Sequence, residues 1–369
     1  MLFRSKAAVK SLVADLNSSD LIGLLDDLPP GERDAISKPV QQTVEQLKRN
    51  DVLRPDANLN KVGGVQVKAS NLTFASETIP VNDHVRIVQL TGGTITLNAD
   101  LAKAPFTSDF LHAAFPGGAG SRTAESVDIG QEVKKRGKPI RIATQKVDGG
   151  WYPSLLYTIA DNAVTSSGLQ APSAADRVPA NGAGSPDAAV EGVITAALNG
   201  DLRRVGELLS PDELAVIHDY GKLILDRVHY NPPNVKVRNI GFQDIKTSDG
   251  TRVEITAVEI STPDSGTVKV QLSGDCATVT VQGHAQRMCS ADLIGQLVPF
   301  LGKDLTAAQQ TALADLFSGI MHATGVETTE VGGKWYVNPL RSYFHLFDAL
   351  LSGLKGNDAK VLLQLIGDR

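Results

Sequence analysis

Apolar residues near the start of the chain recur on a helical period. Val9, Leu12, Val13 and Leu16 stand at i, i+3, i+4 and i+7, which is one face of a helix. The polar run "NSSD" interrupts that stripe, and Leu21, Leu24, Leu25 and Leu28 begin another. Beyond residue 65 the period shortens to two. "VKASNLTF" (67–74), "HVRIVQL" (84–90) and "GTITLNA" (93–99) alternate as strands do, and Gly92-Gly93 reads as a hairpin turn between the last two. "SDFLHAAF" (108–115) returns to a helical pattern, "IRIATQKVDGGWYPS" is a closing strand segment, and "LLYTIADNAV" is a terminal helix.

The same order of patterns is then written a second time. Residues 7–36 lie over residues 188–217 without a gap, with identities that include Ala7/Ala188, Val9/Val190, Asp20/Asp201, Pro30/Pro211, Glu32/Glu213 and Ile36/Ile217. Val190, Val193, Ile194 and Ala197 repeat the first stripe. Ser210-Pro211-Asp212-Glu213 predicts a well-capped helix start, with Ser at N-cap, Pro at N1 and Glu at N3. The first copy has Pro29 in place of Ser210, so its cap is expected to be poorer. "VKVRNIGF" (235–242) matches "VKASNLTF", and "TRVEITAVEI" and "GTVKVQL" follow as strands joined by an Asp-Ser-Gly turn. "CATVTVQG" adds a strand, "AAQQTALADLFSGIMHAT" (307–324) is a helix, and "GVETTEVGGKWYVNP" closes the copy ahead of "LRSYFHLFDALLSGL". Between the copies lies "SSGLQAPSAADRVPANGAGSPD" (166–187), rich in Ala, Pro, Ser and Gly, which reads as a flexible linker. The division expected is therefore a first unit over 1–165, a linker over 166–187 and a second unit over 188–369.

Composition narrows the class of protein. The 369 residues are 42% apolar and 21% charged, with a net charge of −5 and no basic stripe of the kind that tracks nucleic acid. The densest basic run, Lys134-Lys135-Arg136-Gly137-Lys138, reads as a solvated loop, and "QLKRND" (46–51) as a solvated helix end. The apolar stretches Leu293–Leu301 and Tyr343–Leu354 are shorter than the roughly 18–20 residues a membrane span needs. "MLFRSKAAVKSL" has no signal-peptide h-region, as expected of a chain whose anchor or signal was removed or never existed.

The helical start around Ala188-Ala189-Val190, Asp201-Leu202 and Ser210-Pro211-Asp212-Glu213, with the closing Gly333-Lys334-Trp335-Tyr336 and the first-copy counterparts, resembles the NTF2-like (cystatin-like α+β) superfamily. It is most similar to non-enzymatic members in extracytoplasmic parts of actinobacterial membrane proteins and lipoproteins. The resemblance covers most of both copies, although a helical segment precedes the last strand here, where a typical member runs a near-continuous meander. It implies an α+β fold of two tandem NTF2-like units, each with N-terminal helices packed on a curved, mainly antiparallel sheet around a pocket. In that superfamily some members are isomerases or dehydratases and many others bind a molecule, dimerise or scaffold.

Candidate chemistry is sparse. The two cysteines, Cys276 and Cys289, read either as separate thiols of a cytosolic protein or as one disulfide across a strand and its return; the second is the expectation, and with it an oxidising compartment. A zinc site from both thiols and His284 lacks a fourth ligand, so no metal is expected. His112 and His322 occupy corresponding places ahead of the closing strands. They read as helix-face histidines with half-buried rings, or as a pocket base, for which Asp109 offers an orienting carboxylate in the first copy only. Trp151 and Trp335, each with Gly-Gly before and Tyr after, are expected to face inward as core anchors, with Tyr152 and Tyr336 at the pocket rim or in solvent. The carboxylates Asp26, Asp27, Asp212 and Glu213 read as helix-start and surface charges. "GGAG" (117–120) lacks the glycine spacing of a dinucleotide site, and G-x-S-x-G, P-loop and H-E-x-x-H motifs are missing, so no cofactor is expected.

The function expected is a non-catalytic extracytoplasmic module of the cell envelope. Its partner would be a protein, a peptide or a small apolar envelope molecule. The alternatives are a small-molecule enzyme with an acid–base pocket at His112 or His322, and a cytosolic scaffold.

Overall fold

The structure is a computed structural model, and it describes residues 2–115, 118, 122–263, 266–290, 292, 294 and 305–367. Most of "GGAG" (117–120) and of the apolar run 293–301, and the Asp264-Ser265 part of the expected turn, lie outside the described residues. The fold is α+β, with two curved antiparallel sheets and helices from both copies. The chain divides into two compact units, residues 1–38 with 53–176, and residues 39–52 with 177–369.

The first unit opens with α1 (Leu2–Ser18), α2 (Leu21–Asp26) and α3 (Pro30–Arg49), and the unit boundary at residue 39 falls on the proline inside α3. Pro30 starts α3 directly, since a proline at the first helical position surrenders only an N–H that would be unpaired anyway. Its sheet contains β1 (Val65–Phe74), β2 (Ile79–Pro80), β3 (Val85–Ala99), β4 (Thr123–Asp128), β5 (Ile140–Val147) and β6 (Gly150–Pro153). Here the hairpin expected at Gly92-Gly93 is corrected. The two predicted strands are one, β3, which passes through both glycines. Gly93 has φ +118, and an added Cβ would meet Leu72 Cα and Ser70 O at 2.9 Å, so the chain passes there only as glycine. Two helices, α4 (Ser108–Ala114) and α5 (Ile129–Arg136), and the terminal α6 (Leu155–Ser166) complete the unit.

The second unit has α7 (Pro186–Leu198), α8 (Leu202–Glu207) and α9 (Ala215–Leu225) before its sheet. The predicted start at Ser210 is also corrected. Ser210 Oγ and O accept from Glu213 N and Leu214 N, which makes a turn, and the helix proper begins at Ala215. The sheet runs β7 (Lys236–Thr247), β8 (Gly250–Thr262), β9 (Gly266–Ser273), β10 (Cys276–Val281), β11 (His284–Cys289), β12 (Gly325–Val331) and β13 (Lys334–Val337). It is followed or interrupted by α10 (Ala307–Met321), α11 (Pro339–Gly353) and α12 (Asp358–Gly367).

The pairings show the repeat as topology. The first half of the long strand pairs with the closing strand, β3 with β5 and β8 with β12, and that strand turns back into the Trp strand, β6 or β13. The second half pairs with β4 or β9, and β1 or β7 covers the other side. The turns into β6 and β13 are two-residue loops with both φ positive, Asp148-Gly149 and Gly332-Gly333, the geometry that matches strand twist. In the second unit a bulge leaves Thr256 unpaired on β8, between the pairs Phe242↔Ile255 and Gly241↔Ala257. A Cβ on Gly241 would sit 2.9 Å from Thr256 Oγ1, so glycine lets the bulge close.

The stretch between the copies is partly built into the second unit. Val178 is buried against Gly206 and Gly221, Asn181 N donates to Glu207 O (2.8 Å), and Ala183 and Trp335 exchange backbone bonds at 2.9 and 3.0 Å. "QLKRND" is not wholly solvated either: Gln46 and Asn50 are buried, and Asn50 Nδ2 donates to Leu351 O (3.2 Å).

Candidate functional site

Each unit has a buried carboxylate where the final strand hands over to the final helix. Glu32, 3% exposed, accepts from Ser154 Oγ, from Leu155 N (2.8 Å) and from Leu156 N (3.4 Å) at the start of α6. Glu213, 2% exposed, accepts from Leu340 N (2.7 Å) at the start of α11. This corrects the reading of Glu213 as a surface charge or as a cap for its own helix: it caps a helix more than a hundred residues away. Part of the surrounding joint is repeated. Ala143 N donates to Thr158 Oγ1 and Glu327 N to Ser342 Oγ, each at 2.9 Å. Those hydroxyls donate back to Ser154 O (2.6 Å) and Asn338 O (2.7 Å). Thr144 Oγ1 donates to Arg86 O and Thr328 Oγ1 to Thr251 O, tying the closing strand to the long one. Burial pushes both glutamates above the ordinary carboxylate range, Glu213 to about 7, against the opposing pull of the backbone donors. Glu32 has both carboxylate oxygens engaged, whereas Glu213 accepts from Leu340 N on Oε1 and its buried Oε2 faces Arg341 Nε at 3.7 Å.

The predicted site residues are scattered. His112 stands exposed in the last turn of α4 and His322 exposed after α10, so neither ring is half-buried. The carboxylate facing His322 is Asp275, 3.3 Å from Nδ1 on the surface. Trp151 is buried, and Trp335 packs half-buried on the core of Ala189, Val190, Val253 and Val337. A cation lies over each ring, Arg86 at 5.8 Å and Lys246 at 5.5 Å. Tyr152 is half-buried, but Tyr336 is 5% exposed, and this corrects its placement at a rim or in solvent. Residue 182 is glycine because a Cβ there would meet the Tyr336 ring at 2.7 Å. Cys276 and Cys289 are directly paired across β10 and β11 and form a disulfide, with Arg287 Nη2 3.3 Å from Cys276 Sγ.

The surface best suited to a ligand is the outer half of the second sheet. Phe242 on β7 packs with the α7 core, and Ile240, two residues back, carries the same face outward. Cross-strand pairs extend it: Ile240↔Val258↔Val270↔Val279, and Val237↔Ile260↔Val268↔Val281. Apart from buried Ile240, these side chains are half-buried, while the opposite face carries Glu259, Lys269, Thr278 and Thr280. The first sheet has a smaller version in Val65, Val67, Ile95, Leu97 and Val127, joined by the pairs Val67↔Leu97 and Ile95↔Val127. Sequence alternation marked these strands as amphipathic, but the bulge at Thr256 decides which side of β8 joins the core.

On the other side of β8, Arg252 lies 3.5 Å from Glu254 and 3.9 Å from Glu327. Burial, then the charge of Arg252, holds the His345 imidazole below its usual range. The counterpart of His345 by the closing-strand alignment is Asp161, which there makes a two-bond pair with Arg141 at 2.6 and 2.9 Å. Among the described residues no group of three or more His, Cys, Asp or Glu is placed to hold a metal ion.

No protein-family model, curated protein or solved structure matches this chain.

Proposed function

We propose that the protein is a non-catalytic binding module of two tandem NTF2-like units that works outside the cytoplasm, in the cell envelope, and takes up an apolar molecule or an apolar peptide segment. The observation that carries the reading is the half-buried valine and isoleucine face of β7–β10, continuous with the core of the second unit yet not closed by it. Apolar area buried there by a ligand contributes about 25 cal/mol per Å² before the cost of association. The disulfide supports an oxidising compartment, where such bonds persist. No helix among the described residues is long and apolar enough to cross a membrane. The exposed settings of His112 and His322 give an acid–base pocket no support.

The test is titration with a fluorescent fatty-acid analogue, together with mass spectrometry of whatever accompanies the protein from its native host. Saturable binding that Val270→Glu abolishes, with an unchanged circular dichroism spectrum, is the expected outcome. Binding unaffected by Val270→Glu, or none at all, rejects the face as the site.

A further inference from the structure

A cavity of different chemistry from that apolar face lies in the first unit. It has a volume of about 260 Å³ and is walled by the end of α1, the 61–66 segment, the end of β3 and the start of β4. Lys61, Lys103 and Arg122 line it, and Asp100 is its one carboxylate. Lys103 Nζ is 3.5 Å from Asp100, so that acid is already matched. Among the described residues neither Lys61 nor Arg122 meets a carboxylate at ion-pair distance. Among the described residues, two positive charges are therefore left without a carboxylate partner around one cavity, in a chain whose net charge is −5.

The walls are firmly set. Val62 N donates to Ser19 O (3.1 Å) and Asp100 N to Gly64 O (2.7 Å). Gly63 and Gly64 let the loop press against the 100–104 segment, since a Cβ on Gly63 would lie 2.9 Å from Lys103 O and one on Gly64 2.3 Å from Ala104 N. Ser18, Ser19, Gln66 and Asn98 add neutral hydrogen-bonding groups to the lining.

We propose that this cavity is an anion site for a phosphate monoester. A tetrahedral dianion matches those two cations. Its several oxygens match a lining that mixes ammonium, guanidinium, hydroxyl and amide donors, in the way charge-assisted bonds favour phosphate. The volume accommodates the phosphate and a small organic group. The same chemistry is carried by a soluble phosphate ester and by the head of a phosphatidate lipid.

Titration of the full chain with glycerol phosphate, followed by calorimetry, tests the site, and flotation with phosphatidic acid vesicles against phosphatidylcholine vesicles tells the two sources apart. Saturable binding is expected, weakened at least tenfold in Lys61→Gln/Arg122→Gln and unchanged in Lys134→Gln/Lys135→Gln, which removes charge from the end of α5. Unchanged thermal melting of both variants shows that folding is intact, as the exposure of all four side chains predicts. Flotation with phosphatidic acid alone, lost in the first variant, places the phosphate on a lipid; calorimetric binding without flotation places it on a soluble ester. Absence of binding to both phosphate probes, or equal loss in the two variants, overturns the proposal.

Discussion

Glu213 shows how much a single residue's role depends on where its carboxylate is buried. Burial pushes its carboxyl up to about 7 in the folded chain from the ordinary 4.5. Between those values the folded chain holds a proton that the unfolded chain has released, so stability falls as pH rises across that window. The full loss is on the order of 3 kcal/mol. Glu213→Gln keeps an acceptor for Leu340 N and abolishes the titration. Denaturant midpoints of this variant are expected to vary less between pH 4.5 and 7 than those of the wild type; an equal slope would remove Glu213 as the cause. The tryptophans behave as packing residues. Truncating buried Trp151 to Ala is expected to cost about 3–5 kcal/mol, and half-buried Trp335 about half as much, by equilibrium unfolding. Trp335 is only half-buried; the burial of Trp151 was legible from the Gly-Gly-Trp-Tyr context. That of Tyr336 was not, because it is covered by residue 182, which the linker composition gave no reason to place there.

At the scale of elements, the period of apolar positions located most helices and strands, and a glycine-containing turn before each Trp was readable directly, although the first is Asp148-Gly149, with Gly150 already in its strand. Continuity was harder to read. Gly92-Gly93 has the composition of a hairpin turn, yet β1 pairs on both sides of it and the strand passes through. Gly93→Ala is therefore expected to destabilise the first unit by about 1–3 kcal/mol, since φ +118 is strained for any side chain and the Cβ collides with β1. A thermal melt matching the wild type would mean the bend relaxes freely. The outermost hairpin, β10–β11, is clamped by Cys276–Cys289. Replacing both cysteines by serine removes up to about 3 kcal/mol by loop entropy. Hydrogen exchange is expected to quicken first in residues 276–289; uniform quickening across the second unit would show that the bond supports the whole sheet.

For the whole molecule, the repeat is the organising fact, and it is clearer in the bonds than in the letters. The joint around Glu32 and the joint around Glu213 share the leucine N–H bond to the glutamate and the hydroxyl bonds of the closing strand, although Thr158/Ser342 and Ser154/Asn338 differ in residue type. Limited proteolysis is expected to cut first between Ser166 and Asp176, whose side chains are mostly exposed. Residues 178–183 should resist, being packed and hydrogen-bonded to the second unit. A first cut at 178–183 would show that this docking opens readily in solution.

What the sequence by itself determined is local: helix and strand periods, turn glycines, the duplicated order of elements and a cysteine pair spaced to face each other across a hairpin. These follow from backbone geometry within a few residues. The tertiary structure alone decided which polar groups are buried, which side of a bulged strand joins the core and which helix a glutamate caps. Glu32 meets Ser154 across 122 residues and Glu213 meets Leu340 across 127. Burial and partner choice are properties of chain segments that meet only after folding, so no local period records them.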